Sequence, residues 1–182
     1  MIDAGYFVKH VQPRPDWIQT AAVREICSVS DHISEAPEGW VDRWLHNQFG
    51  WFNRISDALG VVPEDQRDVF QLFAYRVHPE VFRPGGRVPL VVPSDVKPDP
   101  IPASFKTIGF DSVNKSMPDV QGFECSPLSC NGMDEECPVN EFCLFATLEE
   151  AIAGAVRFAD EQPEPGDYYV VEVLRNANKQ GA

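Results

Sequence analysis

The sequence has no apolar run long enough to cross a bilayer. Its first ten residues, MIDAGYFVKH, carry an acid at position 3 where a signal peptide would have a long apolar core. We therefore expect a cytoplasmic protein that does not engage membrane. Basic residues are also scarce: 15 Lys and Arg face 28 Asp and Glu, giving a net charge of −13. Nucleic acid and anionic lipid are bound by clustered Lys and Arg, so neither is an expected partner. No P-loop, G-x-G-x-x-G, H-E-x-x-H or G-x-S-x-G occurs, so ready-made nucleotide, zincin and hydrolase signatures are missing. The second half has no histidine at all, since His10, His32, His46 and His78 all lie in the first. Apolar residues are plentiful, at 43% with 12 Phe and 4 Trp, which over 182 residues is enough for a real core.

Proline is concentrated at positions 84, 89, 93, 98, 100 and 102. It lacks an amide donor and fixes φ, so residues 84–102 cannot form a central strand or a helix interior. They read as an extended connector between residues 1–83 and 103–182. The two flanking parts look alike. NQFGWFNRISDAL, from Asn47, aligns without gaps on NEFCLFATLEEAI, from Asn140, matching Asn47 with Asn140, Phe49 with Phe142 and Phe52 with Phe145. Upstream, EICS resembles FECS and GYFVKH resembles GFDSVNK, in the same order. That order suggests an internal duplication. CLFA reads as a buried strand. Thr147 opens a helix with a T-x-x-E capping box, and Pro163 and Pro165 end it. DYYVVEVLR and VFQLFAYRV read as strands, with a further strand near residues 50–52 and a short helix near residues 55–59. Trp40, Val41, Trp44 and Leu45 share one helical face. The expected fold is α+β, with two similar strand–helix–strand subdomains and helices on one face of a mixed or antiparallel sheet.

Four of the five cysteines, Cys125, Cys130, Cys137 and Cys143, fall in FECSPLSCNGMDEECPVNEFCLF. Their C-x4-C-x6-C-x5-C spacing lacks the tight paired knuckles of a structural zinc site, so no metal or other cofactor is expected. An odd count in a reducing compartment argues against a disulfide framework. Cys125 matches Cys27 across the repeat and Cys143 matches Gly50, which suits small buried packing residues. Cys130, with Ser126 and His32, is the candidate for catalysis, although Asp134, Glu135 and Glu136 nearby would raise a thiol pKa. Ser28, His32, Ser126 and Asn131 are candidate pocket residues between the halves. Their hydroxyls and amides would equally serve as turn residues satisfying their own backbone.

The charge is skewed, with −4 over residues 1–100 and −9 over residues 101–182. The leading expectation is a non-enzymatic intracellular binding protein, of the immunity-inhibitor kind, masking a basic surface of another protein. Its contacts would be Asp134, Glu135, Glu136, Glu149, Asp160 and Glu161. The alternative is a small-molecule enzyme or sensor with a site between the halves, thiol-dependent or ADP-ribosyltransferase-like. FATLEEA around Thr147 resembles a segment of the ADP-ribosyltransferases, which would imply roles for Arg14 and Glu172; the S-T-S strand of that family is absent. ICSVSD, FECSPLSCN and VNEFCL together resemble a group of bacterial hypothetical proteins with no assigned activity, which implies no catalytic residues.

Overall fold

The computed structural model describes residues 1–30, 36–37, 45–116 and 122–177. The tryptophan-bearing stretch at residues 40–44 and His32 therefore lie outside the described residues. Four long strands build one antiparallel sheet: β1 (Ile2–His10), β4 (Phe70–Arg83), β7 (Asp167–Asn176) and β6 (Phe105–Lys115), side by side in that order. Strands β2 (Gln12–Pro13) and β3 (Glu25–Ile26) form a separate two-stranded ribbon. Helix α1 (Ile55–Gly60) packs on β1, and α3 (Leu148–Glu161) packs on β4, β6 and β7. The fold is α+β. Strands β1 and β4 come from residues 1–83 and β6 and β7 from residues 103–182, and β4 bonds directly to β7, so both parts share a single sheet.

Strands β4 and β7 are central and covered on both faces, which is why FAY and YVVEV read as nearly unbroken apolar runs rather than as alternating ones. Phe73, Ala74, Tyr75 and Val77 of β4 are buried, as are Val170, Val171 and Val173 of β7. The proline-rich stretch is less of a free connector than its composition suggests. Its first part is β5 (Gly86–Pro89), a hairpin partner on β4, in a place where proline is tolerated. Farther along, the Asp99 amide donates to the Asn53 carbonyl and the Lys97 amide to Asn53 Oδ1. Asn53 Nδ2 donates in turn to the Asp95 carbonyl, so the stretch is fastened to the first half.

Asn47 and Asn140 build the same hydrogen-bonding device. Asn47 Nδ2 donates to the Ala4 carbonyl at 2.8 Å, and Asn140 Nδ2 donates to the Ile108 carbonyl at 2.8 Å. Asn47 Oδ1 accepts from the amides of Phe49 and Trp51, and Asn140 Oδ1 from those of Phe142 and Leu144. Each turn has a left-handed residue, Gly50 at φ 81° and Cys143 at φ 57°. Each delivers a phenylalanine that pairs with the edge strand, Phe52 with Tyr6 and Phe145 with Phe110. At both places the strand register shifts, beside Gly5 and Gly109. A Cβ on either glycine would lie 2.8 Å from the carbonyl oxygen of Phe52 or Phe145, so a side chain would close the gap that the pairing needs. CLFA is thus a turn with one bridging residue rather than a regular strand: apolarity reported its burial, not its backbone.

Helix α3 begins as its sequence requires. Thr147 Oγ1 accepts from the Glu150 amide and the Glu150 carboxylate accepts from the Thr147 amide, a complete capping box. Ala151, Ala155, Phe158 and Ala159 face the sheet.

Candidate functional site

Strand β6 separates two environments by its alternation. Ser112 Oγ donates to the Ala151 carbonyl of α3, so the helix covers that face. Asp111, one residue earlier, points to the opposite face. There it meets a segment of the first half, residues 24–30, which is bonded across to the second half: the amides of Arg24 and Glu25 donate to the Glu141 carbonyl, and that of Cys27 to Phe142. The crossing is reciprocal, since Lys115 Nζ donates to the Gln48 carbonyl and Gly122 packs against Gly50.

Asp111 is fully buried and accepts three hydrogen bonds. Ser28 Oγ and the Val29 amide donate to Oδ2 at 2.9 and 2.8 Å, and Ser126 Oγ donates to Oδ1 at 2.6 Å. Burial pushes its pKa above the usual carboxylate value, with the three donors and nearby Lys9 pulling the other way. Lys9 is also buried. Its Nζ lies 4.7 Å from the centre of the Phe73 ring and donates to the carbonyls of Cys27 and Ser28. One carboxylate and one ammonium thus hold the first-half segment onto the sheet.

The thiols stand beside this anchor. The Cys125 amide donates to Asn114 Oδ1 at 2.7 Å, which fixes the chain just before Ser126. Ser126 then starts the short helix α2 (Pro127–Cys130), opened by a proline whose missing amide is not needed there. One turn on, the Cys130 amide bonds to the Ser126 carbonyl at 2.8 Å. Cys125 is buried and Cys130 is partly exposed. Ser30 Oγ lies 3.3 Å from Cys130 Sγ and donates to the Glu124 carbonyl. Cys125 Sγ is 3.5 Å from Asn131 Oδ1, and Asn131 Nδ2 donates to Glu164.

Cys130 is pulled down to about 6, chiefly by its interaction with the Cys125 side chain and further by those with Ser30 and its neighbours, which together outweigh its burial. Cys125 moves upward as the partner that keeps its proton. The acids at 134–136, expected to raise the Cys130 pKa, are not among its main determinants; local donors are. The other cysteines behave differently. Burial pushes Cys27 up to about 11 and also raises Cys143, whose Sγ sits 3.7 Å from the Leu128 carbonyl. Cys137 is raised by burial and lies beside Arg157.

The structure therefore gathers Ser28, Ser126, Cys130 and Asn131, while His32 lies outside the described residues. Ser126 spends its proton on the buried Asp111 carboxylate, which also ties down Ser28 and Val29, so its role is to hold the seam rather than to attack. Cys125 is more than packing, because its thiol donates to Asn131 Oδ1. Among the described residues, no three His, Cys, Asp or Glu side chains converge as a metal ion would require. The acids divide. Asp134 is buried, accepts from the Thr20 amide and pins that loop, so it offers nothing to a partner. Glu136 and Glu161 both bind Arg157, and Asp160 accepts from the Gly85 amide. Glu135 and Glu149 are exposed. Arg14 donates to the Thr20 carbonyl, whereas Glu172 is occupied by Arg76 and Thr107. A cavity of about 330 Å³ lies elsewhere, bounded by Phe49, Val81, Val88, Leu90, Lys115 and Tyr169.

The sequence reading missed Asp111. Its signal was an acid in GFDSVNK flanked at two-residue spacing by Gly109 and Val113, inward positions of a strand. Comparison with known proteins finds no matching family, no significantly similar curated protein and no significantly similar solved structure.

Proposed function

We propose that this protein is a thiol-dependent sensor of small electrophiles or oxidants, with Cys130 as its reactive group in the seam between the two halves. One observation carries the reading: a partly exposed sulfur, 3.3 Å from the Ser30 hydroxyl, beside a buried carboxylate that fastens both halves. A thiolate is the nucleophilic form of cysteine, and a pKa of about 6 leaves about nine-tenths of Cys130 ionised at neutral pH. The four other thiols are raised above the ordinary value, so selectivity follows from the environment. Substoichiometric iodoacetamide on the native chain, followed by peptide mapping, tests this. Modification of Cys130 ahead of the other four supports the reading, and even labelling or a preference for Cys137 overturns it.

A second reading keeps the protein as an acidic binder of a basic partner. It is favoured by the exposed Glu135 and Glu149 and by the excess negative charge of the second half. Capture of a host protein that survives high salt and reversal of both glutamates would count against it.

A further inference from the structure

We propose that the cavity of about 330 Å³ is a binding site for a small organic monoanion, a carboxylate carried on a compact apolar body. The inference draws nothing from the reading of Cys130 and stands or falls separately. The volume lies at the lower end of the range of about 300–1,000 Å³ that small-molecule sites span. The cavity follows from a bend in β4. Its pairing with β7 is interrupted between Val77 and Val81, where His78, Pro79 and Glu80 stand opposite Val170 alone. Such a bulge turns the strand, and with it the hairpin partner β5. The Leu90 amide donates to the Pro79 carbonyl at 2.8 Å, so the proline-rich stretch leaves β5 at the bend, and its Leu90 and Val91 form one wall. Phe49, from the turn that Asn47 holds, forms another.

Side chains two apart on a strand share a face, so the sheet lines the cavity with two rows. The first is apolar: Val88, Val81 and Tyr169 lie side by side on β5, β4 and β7. The second is charged: Arg83 on β4, Asp167 on β7 and Lys115 on β6, with Lys115 directly opposite Asp167. Arg83 Nε and Nη2 both donate to Asp167 Oδ2, at 2.9 and 2.7 Å. The Nη1 group of Arg83 and the Tyr169 hydroxyl have no hydrogen-bond partner among the described residues. The charged row sums to one positive charge, in a protein whose net charge is −13. Lys115 is buried, so its charge is screened less than it would be in water. A cation would meet two like charges there, and a neutral body would leave Arg83 Nη1 unused. A monoanion with an apolar body matches both rows, its carboxylate accepting from Arg83 Nη1 and the Tyr169 hydroxyl.

The test is isothermal titration calorimetry of the full chain with phenylacetate and hexanoate, and with phenylethanol and phenylethylamine as neutral and cationic counterparts. At least one of the two acids should bind once per chain, about tenfold or more tighter than the alcohol and the amine. Arg83→Gln should weaken that acid by about tenfold or more. Asp167→Asn should tighten it, because the guanidinium loses the acid that competes for it; a merely structural ion pair would not give that sign. Val88→Trp, at a half-buried position on the edge strand, fills the cavity and should abolish binding. Neither acid binding, the alcohol or amine binding as tightly as the acid, or binding that survives Val88→Trp would each overturn the proposal. The four compounds on the wild-type chain decide the matter even should a variant fold poorly.

Discussion

Replacing Asp111 by alanine is expected to cost about 3–5 kcal/mol, whereas asparagine should lie within about 1 kcal/mol of wild type. The magnitudes follow from the three bonds. Hydrogen bonds to a charged group contribute about 1.5–3 kcal/mol each, so the gross interaction is on the order of 4–9 kcal/mol. Burying the carboxylate costs several kcal/mol in return, partly offset by Lys9. Alanine removes the acceptor and strands the Val29 amide, while the two serine hydroxyls rotate in search of partners. Asparagine keeps one oxygen for Ser28 and Val29, and its amide can donate to Ser126 Oγ, which accepts as readily as it donates. The pH dependence has a definite sign. Because the folded pKa of Asp111 is raised above 3.8, the folded state holds the proton more tightly, and stability from this group falls as pH rises through that window. Asparagine mimics the protonated acid and escapes this loss, so it should fare better relative to wild type at pH 7 than at pH 4. Urea unfolding followed by the fluorescence of buried Trp51 provides the assay. Alanine within about 1 kcal/mol of wild type, or asparagine as damaging as alanine, would refute the argument that hydrogen-bond geometry sets the requirement.

Gly154→Ala should destabilise the protein by about 1–3 kcal/mol in the same assay, against the usual helical preference for alanine, because the new Cβ would lie 2.4 Å from the Phe145 ring. Gly60→Ala, with open space around it, should instead stabilise by about 0.5–1 kcal/mol. Asn47→Ala and Asn140→Ala should each cost about 2–4 kcal/mol and cost alike, since each asparagine holds one turn by the same bonds. His46 has its pKa lowered to about 4 by burial against Phe52, so it favours the fold above pH 6.5 and loses that contribution as pH falls through 4. The stability gap between wild type and His46→Phe, measured by urea titration, should therefore shift against wild type between pH 7 and pH 4.5.

Local chemistry was legible in the sequence wherever a short segment decides its own structure. The capping box at Thr147, the stop before Pro163 and the strands through Phe73 and Val171 needed only near neighbours. The match of Asn47 with Asn140 was visible because one turn geometry demands the same residue at both places. What sequence could not supply was the pairing of distant segments. Ser28 and Asp111 are 83 residues apart, and nothing local makes an acid in a strand the anchor of a remote serine. The acidic run at 134–136 read as one solvated face, yet the short 3-10 turn Met133–Glu135 rotates Asp134 inward to Thr20. The thiols misled for a related reason: Cys125 matches Cys27 in the chain, but only the fold shows that its thiol meets Asn131, just past α2.

The ionisation of Cys130 tests the account most directly. Ultraviolet thiolate absorbance followed against pH, as the difference between wild type and Cys130→Ser, reports that single group. The account gives a midpoint near pH 6. A midpoint at or above the ordinary cysteine value of 9.0 would contradict it.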